Sequence, residues 1–199
     1  DFAILSFYPN RQINALEGGA LVCRDPAQAA EARRLRRFGI DTATFRDRNG
    51  EIDPAADIPD IGVSSAMNNV NAAVGLSQIA DLDVRLIRNR RNVARLNSGL
   101  EPWMDIQPVA PVDAVEPAYW VWLVRSRRRD AIMAALQSEG VDCSRLHQRN
   151  DRYSGFDASA RSLPGTDVLE AEMFALPCGW WLDDSDIDHL LDVLKQACR

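Results

Sequence analysis

The sequence predicts an α/β fold, and three observations support this class. A continuously apolar run at 2–7 has the composition of a strand that is buried on both faces. Helical periodicity occupies 67–100. After residue 101, strand and helix patterns alternate over roughly 90 residues, which predicts a small α/β domain with a mostly antiparallel sheet.

The first half of the chain holds two predicted strands, at 2–7 and at 20–23. Two strands and two or three helices cannot cover both faces of a run as apolar as 2–7. We therefore expect further strands to flank it, supplied either by an N-terminal segment outside these residues or by another chain.

A helix is predicted at 26–38. Asp25 followed by Pro26 is typical of a helix N-terminus, and Gly39 is a C-terminal stop. Residues 40–64 are rich in Asp, Asn, Gly and Pro, which indicates a long loop of the kind that is often functional.

Two further helices are predicted in the middle of the chain. One begins at Met67, and the other follows Asp83 and is long enough to connect two domains. We assign 1–100 to the C-terminal part of a larger domain with this interdomain helix, and 101–199 to a small C-terminal α/β domain.

The small domain is predicted element by element. An aromatic, β-prone strand covers 119–125, a helix covers 130–140 with Asp130 as its cap, and 141–146 forms another strand. A final helix follows Asp183, and Asp186 three residues later completes a capping-box pattern.

The composition excludes several functional classes. The net charge is −6 and the pI is about 5.0, which argues against nucleic-acid binding, and no apolar run has the length of a membrane span. The four cysteines are scattered and include no Cys-x-x-Cys pair, so we predict no metal site and reduced thiols in a cytoplasmic protein. These cysteines, with the two histidines, are Cys23, Cys143, Cys178, Cys198, His147 and His189.

The basic residues are unusual in kind. Of the 23, all but Lys195 are arginine, so a single side chain offers an amine able to form a Schiff base. Lys195 lies four residues from the end of the chain, in the final predicted helix, where a structural role is expected.

Several stretches, in the order of the chain, resemble motifs of the DegT/DnrJ/StrS sugar aminotransferases. The first runs from Ser6-Phe-Tyr-Pro-Asn-Arg11 to Gly18-Gly19-Ala20, and another is Ala72-Ala-Val-Gly-Leu-Ser-Gln78. The other matching stretches are 62–67, 119–125, 128–140 and 176–177. The resemblance runs along the whole chain.

This resemblance implies the C-terminal part of a pyridoxal-phosphate-dependent transferase fold, of the aspartate aminotransferase type. The chain would hold the end of the large cofactor-binding domain and all of the small domain. The implied cofactor is pyridoxal phosphate (PLP) or pyridoxamine phosphate (PMP), and the implied substrate is a nucleotide-sugar or an analogue. The family implies a homodimer that shares its active sites across the interface.

The resemblance also places site residues, with one important departure. Arg11 stands at the position of the Schiff-base lysine, and a guanidinium cannot lose the proton that this chemistry requires. No catalytic residue is therefore assigned. Ser6 and Ser64 align with phosphate-binding positions, Ser64 in place of an asparagine, and Ala66 replaces a basic residue. Ser6, Arg11 and Ser64 would hold a cofactor without a covalent bond.

Substrate contacts are assigned to Tyr8, His147, Arg149 and Asn150. The loop that begins at His147 resembles one that varies with substrate in the family, but a polar surface turn is an equally good interpretation of these residues. The pair Trp180-Trp181 is similarly open between core packing and stacking on a sugar.

Three hypotheses follow. The chain belongs to an enzyme of nucleotide-sugar or polysaccharide biosynthesis that descends from transaminases, or to a non-catalytic homologue that binds a cofactor or sugar phosphate, or it is a fragment of a longer enzyme. The residue at position 11 favours a protein that is inactive as a standard transaminase.

Overall fold

A computed structural model describes residues 1–112, 114–159 and 161–199 of the chain. They form two compact units, Asp1–Leu82 and Asp83–Arg199. The first unit contains β1 (Phe2–Ser6), β2 (Gly19–Cys23), α1 (Pro26–Leu35) and α2 (Asn69–Leu76). The second contains α3 (Leu82–Ser98, which begins at the boundary), β3 (Gln107–Pro108), β4 (Trp122–Arg125), α4 (Arg129–Ser138), α5 (Pro164–Glu172), β5 (Met173–Leu176) and α6 (Asp184–Ala197).

The two strands of the first unit pair in antiparallel fashion, with Phe2 opposite Cys23 and Ser6 opposite Gly19. Both strands form where the sequence predicts them. The burial expected for the first strand is absent in this chain, because β1 pairs with β2 alone among the described strands. All five residues of β1 are exposed, and the Ile4 side chain is 81% exposed.

Helix α1 begins as predicted but ends three residues early. The Asp25 carboxylate accepts a hydrogen bond from the Ala27 amide at 2.8 Å, and Pro26 occupies the first turn. The helix ends because Phe38 and Gly39 adopt left-handed backbone conformations, with φ of 61° and 80°. A Cβ at position 39 would overlap the Asp60 carbonyl oxygen, so this position requires glycine.

The second unit is built on an antiparallel sheet in the order β3-β4-β5. The sequence predicts the antiparallel arrangement but not this strand order. The helices α3, α4 and α6 contribute buried side chains to the core beside this sheet. The largest fully buried side chains include Trp122, Phe174, Leu96, Ile132 and Leu194. This unit therefore has a hydrophobic core of its own.

Helix α3 belongs to the second unit by its packing, whereas the sequence analysis assigned it to the first domain. Val93 and Leu96 of this helix are buried in the second unit's core, at 2% and 0% exposure. Its Asn97 accepts a hydrogen bond from the Trp122 indole nitrogen at 2.9 Å. The boundary between the compact units lies at Leu82 and Asp83 instead of at residue 100.

Three further elements differ from the sequence prediction. The strand expected at 141–146 is reduced to one bridge between Ser144 and Ala175, and Leu146 has a left-handed backbone with φ of 63°. The helix α5 and the strand β5 were not predicted as separate elements. Leu176 and Pro177, which the sequence placed ahead of the last helix, lie at the end of β5 and directly after it.

The last helix confirms its predicted cap. The Asp183 carboxylate accepts from the Asp186 amide at 3.0 Å, and the Asp186 carboxylate accepts from the Asp183 amide at 2.9 Å. The prediction for α4 was wrong in detail, since Arg128 occupies the N-cap position and Asp130 lies in the first turn. There its charge still favours the helix N-terminus.

Candidate functional site

A closed loop at 7–18 joins β1 to β2 and carries Tyr8 and Arg11. The Phe7 amide donates to the Gly18 carbonyl at 3.0 Å, and the Ala15 amide donates to the Phe7 carbonyl at 2.9 Å. The Arg11 amide donates to the Tyr8 carbonyl at 3.0 Å. These backbone bonds define the position of Arg11 within the loop.

Gln78 holds this loop from outside, a role that the sequence analysis did not assign. Its Nε2 donates to the Asn14 carbonyl at 2.5 Å, and its Oε1 accepts from the Asn14 amide at 3.1 Å. A side-chain amide that pairs with both backbone groups of one residue replaces a strand partner. The glutamine ends the motif at 72–78, so the motif itself was the signal for this contact.

Helix α2 packs closely against the same loop. Ala15 is 1% exposed, and a Cβ at Gly75 would lie 3.3 Å from the Ala15 Cβ. The Asn71 side chain also donates to the Glu17 carbonyl at 3.3 Å. The small residue at 75 therefore permits the contact between helix and loop, which explains a glycine within a helix.

The predicted cofactor residues all lie in the first unit. Ser6 is exposed at the end of β1, and its hydroxyl accepts from the Tyr8 amide at 3.4 Å. Ser64 is exposed beside α1, where it forms a bridge with Arg37, while Arg11 is half-buried in the loop. The exposed hydroxyls remain accessible to a ligand.

The chemistry of these side chains fits a phosphate but not a Schiff base. Hydroxyls and a guanidinium donate hydrogen bonds to anionic oxygens, and a guanidinium can do so with two donors at once. A guanidinium stays protonated in proteins and cannot attack an aldehyde. The phosphate of PLP or PMP thus matches these donors, whereas the aldehyde of PLP finds no amine at position 11.

A cavity of the first unit with a volume of about 800 Å³ lies between the strands, α1 and the segment 65–71. Leu5, Gly19, Arg33 and Ala66 are among its lining residues. None of the three predicted cofactor residues lines it, although Ser65 and Ala66 adjoin Ser64. The cavity thus neighbours the predicted site but does not coincide with it.

Three predicted substrate residues lie in the second unit, whereas Tyr8 lies in the first. His147 and Asn150 line an open cavity of about 690 Å³ together with Leu146, Gln148 and Tyr153. The His147 ring centroid lies 6.5 Å from that of Trp120. Arg149 does not line this cavity, because its side chain is directed into a cluster of carboxylates.

The electrostatics of that cluster are strong. Hydrogen bonding from Arg149 lowers the pKa of Asp151 to about 2. The same bonds, with those to Asp167, raise the pKa of Arg149 above its usual value. Both groups therefore stay charged at neutral pH, and the pair is permanent under physiological conditions.

The two tryptophans pack against each other and against a cation. The Trp180 and Trp181 rings lie 4.8 Å apart in an edge-to-face arrangement, and the Arg85 guanidinium lies 4.8 Å from the Trp180 centroid. Trp181 remains 59% exposed. Packing accounts for Trp180, and the exposed face of Trp181 keeps the stacking hypothesis open.

Within residues 1–112, 114–159 and 161–199, no group of three or more His, Cys, Asp or Glu side chains is arranged to hold a metal ion. In the same residues, no helix has the length and apolarity that a membrane crossing requires. All four cysteines are free thiols.

Comparison with known proteins identifies similar sequences. The family model of the DegT/DnrJ/EryC1/StrS aminotransferases matches residues 1–195. A curated relative, the dTDP-3-amino-3,4,6-trideoxy-alpha-D-glucose transaminase of Micromonospora megalomicea subsp. nigra, is 28% identical over 208 aligned residues. That alignment covers 99% of this chain and 52% of the relative.

Solved structures agree with the sequence comparison. The sugar aminotransferase CalS13 from Micromonospora echinospora superimposes with a TM-score of 0.90 at 28% identity, over 98% of this chain and 52% of CalS13. DesV from S. venezuelae, solved in complex with a ketimine intermediate, superimposes with a TM-score of 0.86 at 25% identity, over 100% of this chain and 52% of DesV.

The chain thus spans about half the length of the relatives that it matches. The likeness confirms the predicted fold class, the C-terminal part of an aspartate-aminotransferase-like fold with the end of a large domain and a small α/β domain.

Proposed function

The chain belongs to the DegT/DnrJ/EryC1/StrS aminotransferase family, and from this premise we propose that it forms the C-terminal part of a protein of nucleotide-sugar or polysaccharide biosynthesis. In this proposal the protein holds PLP or PMP, or a sugar phosphate, by polar contacts alone. It does not act as a standard transaminase, because Arg11 occupies the position of the Schiff-base lysine.

The residue at position 11 carries the proposal. The loop that presents Arg11 is held by the two hydrogen bonds between Gln78 and Asn14, at 2.5 and 3.1 Å. The sequence contains one lysine, Lys195, and its side-chain amine lies in α6 of the second unit. Arg11 can bind an anion but cannot accept or donate a proton near neutral pH.

PLP, when bound, supplies an electron sink that stabilises negative charge on the carbon that carries the amino group. The contribution of this chain would be binding. Ser6 of this chain and Ser64 of the neighbouring subunit would donate hydroxyl hydrogen bonds to the phosphate, and Arg11 would add a charge-assisted pair. Because these contacts are electrostatic, the affinity for the cofactor should decrease as the salt concentration rises.

The wider assignments rest on family membership. A nucleotide-sugar is the proposed substrate or ligand, since the curated relative is a dTDP-sugar transaminase. A homodimer is proposed because the position of Ser64 reaches the neighbouring subunit's cofactor in this family. The free thiols support a cytoplasmic location.

The test uses the full-length protein with added PLP, followed by borohydride reduction and peptide mapping. We expect PLP to bind without the visible absorbance of a protonated Schiff base and without a reduced adduct on residues 7–18. The Arg11→Lys variant should gain both the absorbance and an adduct on that peptide.

Arg48→Lys is the matched control, because it adds a lysine to an exposed part of the same unit without changing the loop. It should not acquire the absorbance. An adduct on residues 7–18 of the wild-type protein would contradict the proposal. An absence of cofactor binding in both the wild type and Arg11→Lys would show that the phosphate site is lost as well.

A further inference from the structure

Arg149 lies at the centre of a hydrogen-bonded cluster in the second unit. Its Nε donates to Asp151 Oδ1 at 2.9 Å, and its Nη2 donates to Asp151 Oδ2 at 2.5 Å, so the pair is bidentate. Its Nη1 pairs with Asp167 of α5, and its Nη2 also donates to the Arg161 carbonyl at 2.7 Å. The side chain is 10% exposed, which is low for an arginine outside the core.

The same cluster includes the end of α5. Glu170 accepts from the Arg149 amide at 3.3 Å and pairs with Arg152 at 2.6 Å. The buried Arg129 donates to the Glu170 carbonyl and to Asp130. The segment around Arg149 is thereby attached to α5 and, through Arg129, to α4.

The neighbours of Arg149 face a cavity that Arg149 itself does not line. His147, Gln148, Asn150 and Tyr153 line the open cavity of about 690 Å³, and Arg149 does not. A residue that is fixed by hydrogen bonds beside such lining residues can provide the support that a preorganised binding loop needs.

The charges beside this cavity are already balanced. Each of the three arginines that flank its polar residues has a carboxylate partner. Arg145 pairs with Asp130, and Arg152 pairs with Glu170. Arg149 pairs with Asp151 in the cluster described above. The polar side chains that line the cavity carry an imidazole, two carboxamides and a phenol, from His147, Gln148, Asn150 and Tyr153. These groups hydrogen-bond to neutral hydroxyls, whereas a phosphate would require an uncommitted cation.

We propose that Arg149 is a positioning residue, and that the loop it fixes presents His147, Gln148, Asn150 and Tyr153 to the hydroxyl groups of the sugar in a nucleotide-sugar. This inference rests on the proposed function for the identity of the ligand. It replaces the expected direct contact between Arg149 and substrate with an indirect one, because the donors of Arg149 are engaged within the loop and with α5.

The test compares full-length wild type with three variants by hydrogen exchange and by titration with dTDP-glucose and with dTDP. Arg149→Lys keeps the charge but loses the bidentate geometry. We expect exchange in residues 146–153 to rise at least about tenfold. The affinity ratio of dTDP-glucose to dTDP should fall about tenfold, while the affinity for dTDP stays unchanged.

The other two variants separate positioning from contact. Asn150→Ala should lower the same affinity ratio without a change in exchange, because it removes a ligand contact and leaves the support intact. Arg127→Lys is the control, an exposed arginine outside the cluster, and should change neither quantity. Asp151→Asn, as a second way to weaken the cluster, should reproduce the effects of Arg149→Lys if that variant fails to fold.

Two results would overturn the inference. One is unchanged exchange at 146–153 in both cluster variants. The other is a lower affinity ratio in Arg149→Lys with unchanged exchange, which would make Arg149 a direct ligand. If the wild type binds neither compound, the proposed function and the assignment to a sugar both fail, while the exchange data still decide whether Arg149 holds the loop.

Discussion

The two units of the chain bury their apolar side chains to very different extents. Among the described residues of the first unit, one apolar side chain, Ala15, is buried, while Ile4 is 81% and Ile61 is 100% exposed. The second unit buries Trp122 and Phe174 almost completely within a continuous core. Both units have well-defined secondary structure, so the difference lies in packing.

This contrast shows that local structure and stability have separate origins. A two-stranded sheet such as that of β1 and β2 is at best marginally stable in water by itself. The second unit has three strands and helices against them, which is enough for an independent core. The loop of the first unit is instead held by polar contacts such as those between Gln78 and Asn14.

The largest expected effect is in the core of the second unit. Phe174→Ala should lower the free energy of unfolding by about 3–5 kcal/mol, because it leaves a cavity between the sheet and its helices. Ile4→Ala, at an exposed position of this chain, should change it by less than about 0.5 kcal/mol. Urea unfolding of the 199-residue chain followed by circular dichroism measures both. Equal losses would contradict the contrast between the units.

The next largest effect should be in the first unit, at a polar contact. Gln78→Leu leaves the Asn14 amide and carbonyl without this partner in a half-buried position, at an expected cost of about 1–3 kcal/mol. Hydrogen exchange in residues 11–18 reports it locally. Ser77→Ala is the matched control, since its exposed hydroxyl bonds only within α2 at the Val74 carbonyl. If both variants exchange alike, Gln78 does not hold the loop.

A smaller effect is expected at the N-terminus of α6. Asp183→Ala removes the carboxylate that accepts from the Ser185 and Asp186 amides, and should cost about 1 kcal/mol. Thermal unfolding provides the measurement. Asp192→Asn changes the same charge at an exposed position later in that helix and should have little effect. A loss of similar size in the control would indicate a general charge effect instead of capping.

The smallest effect is expected from a change of pH within the range 5 to 7, through the ionisation of Asp151, which pairs with Arg149. The pKa of Asp151 is about 2, below the unfolded value of about 3.9. The contribution of Asp151 is therefore present in full above the unfolded pKa and is lost as the pH falls through the folded pKa. We expect the contribution of Asp151 to the free energy of unfolding to stay constant between pH 5 and 7, because its folded and unfolded pKa values both lie below this range. Acid unfolding of wild type and Asp151→Asn should diverge in slope only below about pH 4.

Much of the fold is readable from the sequence because local physics determines it. The apolar run forms β1, and α1 begins with Asp25 as its N-cap and Pro26 in its first turn. The predicted capping box between Asp183 and Asp186 is present at the start of α6. Each of these features depends on neighbouring residues, and their energies are largely satisfied within one turn or one strand.

The strand predicted at 141–146 shows where this approach fails. Its composition is β-prone, but only Ser144 finds a partner, and the left-handed backbone of Leu146 ends any further pairing. Strand propensity cannot reveal whether a neighbouring edge is available. Likewise, the periodicity of α3 indicates a buried face but not the unit whose core receives it.

The sequence by itself therefore determined the family, the positions of β1, β2, α1 and α6, and the identity of residue 11, because these depend on residue types and on spacing along the chain. The tertiary structure alone decided that Gln78 fixes the loop of Arg11 and that Arg149 faces carboxylates instead of the cavity. Gln78 and Asn14 are separated by 64 positions, and Arg149 and Asp167 by 18. Contacts of that range exist only once the backbone has brought distant segments together.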